Sequence, residues 1–197
     1  AEISKPHYYK VYLADYDVTT EIVPTERGAQ FQFTFPKTDN AHVLVDGFFK
    51  GSMVKVFPKE RKVVGYCRNN SGGVPENFHN YFVIYFDKDF EDSQTWVTSK
   101  NSKVDNNRLS QTLSAEGYHA GAALTFKTLN NEKITAKVAS SFISLEQAEL
   151  NLKREIGTDN FDQTKSKAAS LWNKELGRIE VEGGTVEQYK TFYTALY

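Results

Sequence analysis

The sequence has few cysteines, little net charge and no long apolar run. Cys67 is its one cysteine, so no internal disulfide framework can form. The chain has 24 Lys and Arg against 25 Asp and Glu, a formal net charge of -1, which argues against nucleic acid as the main partner. It contains no apolar run of about 18 residues, so it predicts no membrane span.

Aromatic residues are plentiful and fall into strand patterns. The 197 residues include 11 Tyr, 14 Phe and 2 Trp, and aromatic residues favour strands. Phe31, Phe33 and Phe35 alternate with polar residues, which places the three rings on one face of a strand. Residues 81–86 are apolar on both faces. They predict a central strand covered on both sides, or one that meets a second domain.

Many short strand patterns separated by Gly, Pro, Asn and Asp indicate a mainly β fold, an antiparallel β-sandwich followed by C-terminal linker helices. The predicted strands are residues 9–13, 18–22, 30–35, 43–46, 52–57, 63–68, 81–86, 95–97, 119–127 and 134–142.

The hydrophobic period becomes helical after Ser144. Three residue pairs have the spacing of a capping box, in which a side-chain oxygen and a Gln satisfy free backbone N–H groups at a helix start. They are Ser144 with Gln147, Asn160 with Gln163, and Thr185 with Gln188. We therefore expect helices at residues 145–156, from 161 to about 178, and from 186. Trp172, Leu176 and Ile179 have the spacing of a buried stripe.

The third predicted helix carries an unusually apolar face, formed by Tyr189, Phe192, Tyr193 and Leu196, close to the last residue, Tyr197. We expect this helix to belong to a following domain from which the sequence has been cut. The alternative is a C-terminal helix that docks on the sandwich.

No reactive group in the sequence has the spacing of a catalytic or metal site. The four histidines, His7, His42, His79 and His119, lack the close spacing of a metal site. The acidic residues 87–92 lack the glycine of a calcium loop. Cys67 is expected to be a buried small apolar residue.

Two further features leave alternatives open. The loop with Gly72 and Gly73 lacks a phosphate-loop lysine, so it is either the rim of a ligand site or a flexible connection. Trp96 and the tyrosines could stack on sugar rings, although aromatic residues in a β-rich chain more often belong to the core.

Several segments, in order, carry a family resemblance. They are residues 8–13, 33–36, 65–68, 81–86, 137–144, 172–176, 179–184 and 192–197. Together they resemble the N-terminal region of glycoside hydrolase family 92, a family of calcium-dependent, exo-acting α-mannosidases found mostly in bacteria that degrade glycans. The sequence differs from many members in having no Trp in the loop at residues 72–74.

The resemblance implies a division of the chain into a β-sandwich domain (residues 1–143), a helical linker (144–182) and a truncated first helix of an (α/α)6 catalytic domain (183–197). The implied partners are the C-terminal catalytic domain of the same chain and a mannose-containing glycan. The implied location is periplasmic, secreted or at the cell surface, with a signal peptide removed.

The resemblance also implies a function. The parent protein would be an inverting exo-α-mannosidase similar to α-1,2-mannosidases, and the sandwich would scaffold and partly wall its active site. The acid, the base and the calcium ligands of the family lie beyond Tyr197. No catalytic, metal-binding or carbohydrate-binding residue is therefore assigned here, and the 197 residues alone are expected to be inactive. The alternatives are an autonomous carbohydrate-binding module and a purely structural interaction domain.

Overall fold

The computed structural model describes residues 2–100 and 109–197, and it consists of strands followed by helices. The strands are β1 (Glu2–Lys5), β2 (Tyr8–Leu13), β3 (Val18–Pro24), β4 (Gly28–Phe35), β5 (Thr38–Asp46), β6 (Ser52–Phe57), β7 (Lys62–Cys67), β8 (Asn80–Phe86), β9 (Asp92–Thr98), β10 (Ser114–Gly117), β11 (His119–Thr128) and β12 (Glu132–Ser141). The helices are α1 (Leu145–Glu155), α2 (Phe161–Leu176) and α3 (Val186–Leu196).

The strands form two antiparallel sheets that pack face to face, which confirms the predicted sandwich. The larger sheet has the order β1-β2-β3-β4-β12-β8-β7-β6-β10, and the smaller has the order β5-β11-β9. Leu124 and Phe126 of the smaller sheet meet Val54, Val63 and Ile134 of the larger one in a single core. All five are almost completely buried, and this burial of apolar area is the main stabilising term for the sandwich.

Strand β8 is covered on both faces, as the apolar residues 81–86 predicted. Phe82 and Ile84 pack against the core between the sheets. On the other face Val83 packs with Ala148 and Leu152 of α1. The second cover of this strand is therefore the first helix after the sandwich.

Every predicted strand is present, but two strands of the described residues, β1 and β10, were not predicted. All four residues of β1 are exposed, and β10 is a short edge strand beside β6. An exposed edge strand is held mainly by backbone hydrogen bonds, so it lacks the apolar alternation by which a strand is recognised in sequence.

The predicted helix starts are confirmed with one difference. Asn160 and Thr185 each form a complete capping box. The Ser144 hydroxyl accepts from the backbone N–H of Gln147 at 3.1 Å, but the Gln147 side chain donates to Asn151 at 2.9 Å instead of returning to the cap.

The predicted buried stripe on the second helix is wrong. Helix α2 ends at Leu176, and Ile179, which lies after it, is 48% exposed. Trp172 and Leu176 are half-buried. The buried residues of α2 are Phe161 and Thr164. The contact of the helix with the sheet extends to Ala168, which packs against Tyr8 and Val23, and the residues after it are less covered.

Helix α3 follows α2 along the chain and has no buried residue. Its described side-chain contacts are a ring contact of 5.0 Å between Tyr197 and Trp172 and a hydrogen bond of 3.3 Å from the Tyr193 hydroxyl to the backbone oxygen of Ile179. Its apolar face is therefore only partly covered in the described part of the chain: Tyr189, Phe192 and Tyr193 are half-buried, and Leu196 is 39% exposed.

Gln30 attaches α2 to the larger sheet. Its side chain is fully buried, and its amide donates to the Thr164 hydroxyl at 2.6 Å and to the backbone oxygen of Asp159 at 3.1 Å. A buried polar group is costly unless such partners satisfy it. The Gln30 amide nitrogen is satisfied in this way, whereas its Oε1 has no hydrogen-bond partner among the residues that the structure describes. This pair of hydrogen bonds fixes the start of α2 against β4.

We expect Gln30→Ala to reduce the free energy of unfolding by about 2 kcal/mol, because it removes buried hydrogen bonds and leaves a small cavity. The matched control is Gln32→Ala on the same face of β4, whose side chain is only half-buried. We expect the control to change stability by less than about 0.5 kcal/mol. Urea denaturation of both variants measures the difference, and equal losses would contradict the role assigned to Gln30.

Glu155 attaches the end of α1 to the turn between β3 and β4. Its carboxylate accepts from the Thr25 hydroxyl at 2.7 Å and from the backbone N–H and the guanidinium of Arg27, both at 2.9 Å. Burial by itself would raise the pKa of Glu155, but the hydrogen bonds from Thr25 and Arg27 outweigh it and lower the pKa below its ordinary value. The ionised form therefore stabilises the fold.

The lowered pKa of Glu155 predicts that Glu155→Gln reduces the free energy of unfolding by an amount that depends on pH. The stabilisation should be complete above the unfolded pKa of about 4.3 and should disappear as the pH falls through the lower folded value. At pH 7 we expect a loss of about 1–2 kcal/mol, and the difference from the wild type should shrink on acidification. Glu26→Gln is the control, since its ion pair with Arg27 is exposed and should contribute little. Denaturation at neutral and acidic pH measures both, and a loss independent of pH would refute the assignment.

Candidate functional site at one end of the sandwich

Two loops meet at one end of the sandwich and form what we call the loop end: residues 47–51 between β5 and β6, and residues 68–79 between β7 and β8. The Lys50 ammonium donates to the backbone oxygen of Asn70 at 2.5 Å. The backbone N–H of Arg68 donates to the oxygen of Gly51 at 2.9 Å. Side-chain and backbone hydrogen bonds therefore hold the two loops together.

The first loop has an unfavourable backbone conformation. Phe48 and Lys50 have φ of 65° and 68°, the left-handed region that costs roughly 1–2 kcal/mol for a residue with a Cβ. Phe48 and Phe49 are 47% and 41% exposed, and their rings meet edge to face at 5.2 Å. The loop therefore carries two exposed aromatic rings on a strained backbone. Because a strained backbone persists only when the surrounding structure fixes it, other contacts must hold the loop in place.

Asp46, His119 and Ser52 hold the first loop. His119 is 6% exposed, and its Nε2 lies 2.6 Å from Oδ1 of Asp46, which also accepts from the backbone N–H of Phe48 at 2.8 Å. The Phe49 ring lies 4.3 Å from the His119 ring. Ser52 donates to the oxygen of Phe48 and accepts from the N–H of Ala120, both at 2.8 Å.

The two loops enclose a polar cavity of about 200 Å³. Its lining residues are Lys50, Arg68, Asn70, Gly72, Gly73, Val74, Pro75, Glu76 and Phe78. The Arg68 guanidinium donates to the backbone oxygen of Glu76. A Cβ at residue 51 would lie 3.2 Å from Cδ of Arg68, and Gly51 has φ of 111°, so glycine is required for the close approach of this arginine.

An aromatic surface lies beside the cavity on the outer face of the larger sheet. His79 packs between Tyr66 and Tyr81 at ring distances of 4.6 and 5.3 Å, and Phe78 lies 5.5 Å from Phe142, which is 70% exposed. Burial, and then a hydrogen bond to Glu116, raise the pKa of Tyr66 to about 12. Tyr66 is therefore neutral at physiological pH and donates its proton to that carboxylate at 2.6 Å.

The four histidines considered as possible metal ligands lie in different parts of the structure. His79 and His119 lie near the loop end, whereas His7 lies at the other edge of the larger sheet, after β1. His42 bonds Thr125 on the smaller sheet. In residues 2–100 and 109–197 no three His, Cys, Asp or Glu side chains converge as metal ligands.

Cys67 and Trp96 do not contribute a reactive or sugar-stacking group to the loop end. Cys67 is half-buried, and its sulfur accepts from the backbone N–H of Asn69 at 3.3 Å. Trp96 is buried, so it offers no ring face for stacking on a sugar. Sequence reasoning missed the loop of Phe48 and Lys50, for which the available signal was two adjacent aromatic residues between the turn glycines Gly47 and Gly51.

Two family models match the chain. The glycosyl hydrolase family 92 N-terminal domain matches residues 1–141, and the family 92 catalytic domain matches residues 147–197. The chain belongs to glycosyl hydrolase family 92. The first match covers the whole sandwich with its loop end, and the second begins within α1.

Solved structures of family 92 are similar to the whole chain. A family GH92 inverting mannosidase from Bacteroides thetaiotaomicron is 36% identical over 100% of this chain, with a TM-score of 0.91. A second family GH92 α-mannosidase from that organism, solved with mannoimidazole, is 29% identical over 100% of the chain, with a TM-score of 0.83. The chain covers 26% of each of these two proteins.

A curated relative matches a shorter part of the chain. An uncharacterized secreted glycosidase from Arthroderma benhamiae is 34% identical over 84 residues, which are 40% of this chain and 11% of that protein. The described helices of the family 92 chain include none with the length and apolar character to span a membrane.

We expect Asp46→Ala to loosen the first loop, because one carboxylate oxygen accepts from both His119 and Phe48. The free energy of unfolding should fall by about 1–2 kcal/mol, and amide hydrogen exchange should accelerate at residues 47–51. Asp39→Ala is the control, because the ion pair of Asp39 with Lys127 is exposed on both sides and should contribute little. Unchanged exchange in Asp46→Ala would show that the carboxylate does not hold the loop.

Proposed function

We propose that this chain is the N-terminal sandwich of an inverting exo-α-mannosidase, and that its loop end forms part of the wall of the active site. The observation that carries the proposal is the likeness over the full chain to a solved inverting mannosidase, with a TM-score of 0.91 at 36% identity. The loop end supports it, because exposed aromatic rings and a polar cavity are held there on a rigid scaffold.

The domain division belongs to the proposal. The sandwich comprises residues 1–143, the linker 144–182, and residues 183–197 begin the first helix of an (α/α)6 catalytic domain. The incompletely covered apolar face of α3 supports this assignment, since Tyr189, Phe192 and Tyr193 are only half-buried and Leu196 is 39% exposed. Such a face is stable in water only when a partner covers it, and the proposed partner is the catalytic domain of the same protein.

The proposed reaction is hydrolysis of a terminal α-mannoside with inversion of the anomeric carbon. One carboxylic acid protonates the leaving oxygen, and a second carboxylate activates water on the opposite face of the sugar. We assign neither group to this chain. The sandwich would position the substrate and exclude water at the edge of the pocket.

The parent enzyme is proposed to require calcium, with the ligands of the ion outside these 197 residues. The residues that the structure describes do not fit the ion, because they bring together no set of three acidic, histidine or cysteine side chains, and calcium takes six to eight oxygen ligands. No step assigned to this chain therefore involves calcium.

The proposed location is periplasmic, secreted or at the cell surface, where a bacterial enzyme would meet external glycans. The relative from Arthroderma benhamiae is described as secreted, and the solved relatives come from a bacterium. A location outside the reducing cytoplasm is compatible with a chain that has a single cysteine, because no disulfide is needed to complete its core.

The aromatic surface favours a second candidate function, an autonomous carbohydrate-binding module. The half-buried rings of Tyr66, His79 and Tyr81 form a cluster in which His79 stacks on Tyr81 and Tyr66 meets both rings edge to face. Aromatic ring faces pack against the C–H surface of sugars. Calorimetry of the 197-residue chain with mannose oligosaccharides separates the two functions. Heat at millimolar ligand supports the module, whereas its absence supports the scaffold.

The decisive experiment compares this chain with the longer protein that contains it. We expect the longer protein to release mannose from α-mannosides, with the β-anomer formed first in a proton NMR time course, and the 197 residues alone to release none. Turnover by the 197 residues alone would contradict the proposal, as would a longer protein that is inactive on α-mannosides.

The wall function has its own test in the longer protein. We expect Phe48→Ala to raise KM by about tenfold, which corresponds to a lost contact of about 1.4 kcal/mol, with little effect on kcat. Leu129→Ala is the control, an exposed apolar residue in the turn between β11 and β12, and should leave KM unchanged. Equal KM values for both variants and the wild type would refute a wall at the loop end.

A further inference from the structure

We propose that the cavity at the loop end binds an anionic group, a phosphate, sulfate or carboxylate, carried by a sugar. Lys50 and Arg68 both line this cavity. In the described residues neither cation lies within 4.0 Å of a carboxylate. Their described hydrogen bonds go to the backbone oxygens of Asn70 and Glu76. Two cations at one concave site that form no ion pair with a described residue attract an anion.

The position of Lys50 is imposed by the fold. The residue has φ of 68°, an unfavourable conformation that persists because Asp46 and His119 hold the preceding residues. Strain of this kind persists only where the surrounding structure fixes the backbone. In a relaxed loop the ammonium of Lys50 could turn freely into water.

Arg68 is positioned from the other loop. Its Cδ would lie 3.2 Å from a Cβ at residue 51, so Gly51 allows the two loops to approach. One guanidinium nitrogen donates to Glu76, and a guanidinium has five N–H donors in a planar fork that matches carboxylate, sulfate and phosphate oxygens. Donors therefore remain for an anion.

The mouth of the cavity is open and carries a neutral amide. A Cβ at Gly72 or Gly73 would meet nothing within 4 Å, so neither backbone position obstructs entry. The Asn70 side chain links the two parts of the lining, because its Nδ2 donates to the backbone oxygen of Arg68 at 2.9 Å and its Oδ1 accepts from the backbone N–H of Gly72 at 2.8 Å. Glu76 is the one acidic residue in the lining, and its carboxylate opposes an anion, so its removal should strengthen binding.

The apolar part of the lining indicates that the anion is attached to a larger ligand. Phe78 and Val74 border the same cavity, and a free inorganic ion makes no use of apolar surface. A sugar offers C–H faces for such contacts. The identification of that sugar as part of a mannoside rests on the proposed function, whereas the anion site rests on the cavity alone.

The first test titrates the 197-residue chain with inorganic phosphate and with sulfate at constant ionic strength, followed by amide chemical shifts. We expect saturable shifts at residues 50, 68 and 70–76. The double variant Lys50→Gln with Arg68→Gln should bind at least roughly a hundredfold more weakly, about tenfold for each charged contact. Glu76→Gln should bind several-fold more tightly, by removing a like charge.

The matched control is the double variant Lys59→Gln with Arg154→Gln. It removes the same two charge types from exposed positions away from the cavity, and it should bind both anions as the wild type does. Two results would overturn the anion site: no saturable shift with either anion, or equal binding by the two double variants.

The second test compares mannose 6-phosphate, mannose and inorganic phosphate on the same chain. Tighter binding of mannose 6-phosphate than of either other probe supports a sugar-borne anion. Equal binding of mannose 6-phosphate and inorganic phosphate would overturn the sugar assignment and leave an anion site. An inactive longer protein would overturn the mannosidase proposal and would leave the phosphate titration unaffected, so the two failures are distinguishable.

Discussion

The fold depends on one constraint, the burial of both faces of the central strands of the larger sheet. The apolar residues of β8 point to both sides, so neither side can remain in water without a large loss of free energy. The smaller sheet covers one side, and α1 covers the other through Ala148 and Leu152. Because of this requirement the helix after β12 is part of the structural unit. The polar contacts of Glu155 and Gln30 then fix the positions of α1 and α2 on the sheet.

The rigid sandwich makes a strained loop end possible. Residues 47–51 leave β5 and enter β6, which belong to different sheets, so both ends of the loop are held by packed strands. Asp46 and Ser52 lie at those two ends, and each bonds a backbone group of Phe48. Local strain of about 1–3 kcal/mol per residue persists only where the surrounding structure fixes the backbone in this way. The conformation of residues 47–51 is therefore set by the packed strands and by Asp46 and Ser52.

Much of the fold could be predicted because its signals are local. The alternation of Phe31 and Phe33, the capping residues Asn160 and Thr185, and the order of the family motifs are all read from neighbouring positions. The predictions that were missed or wrong concern burial at a distance. Strand β1 lacks an apolar pattern because it is an exposed edge, and the apolar period ending at Ile179 has no sheet to cover it. The division into three parts and the unassigned catalytic and metal residues remain predictions.

By itself, the sequence determined the strand and helix types, the caps and the family, because each depends on residue type and spacing along the chain. The tertiary structure alone decided which polar groups meet at the loop end. Asp46 and His119 are 73 positions apart, and they meet because β5 and β11 pair in an antiparallel register. Lys50 and Arg68 converge for the same kind of reason, since β6 and β7 pair beside them. Long-range strand pairing brings distant residues together, and no local pattern records which distant residues will meet.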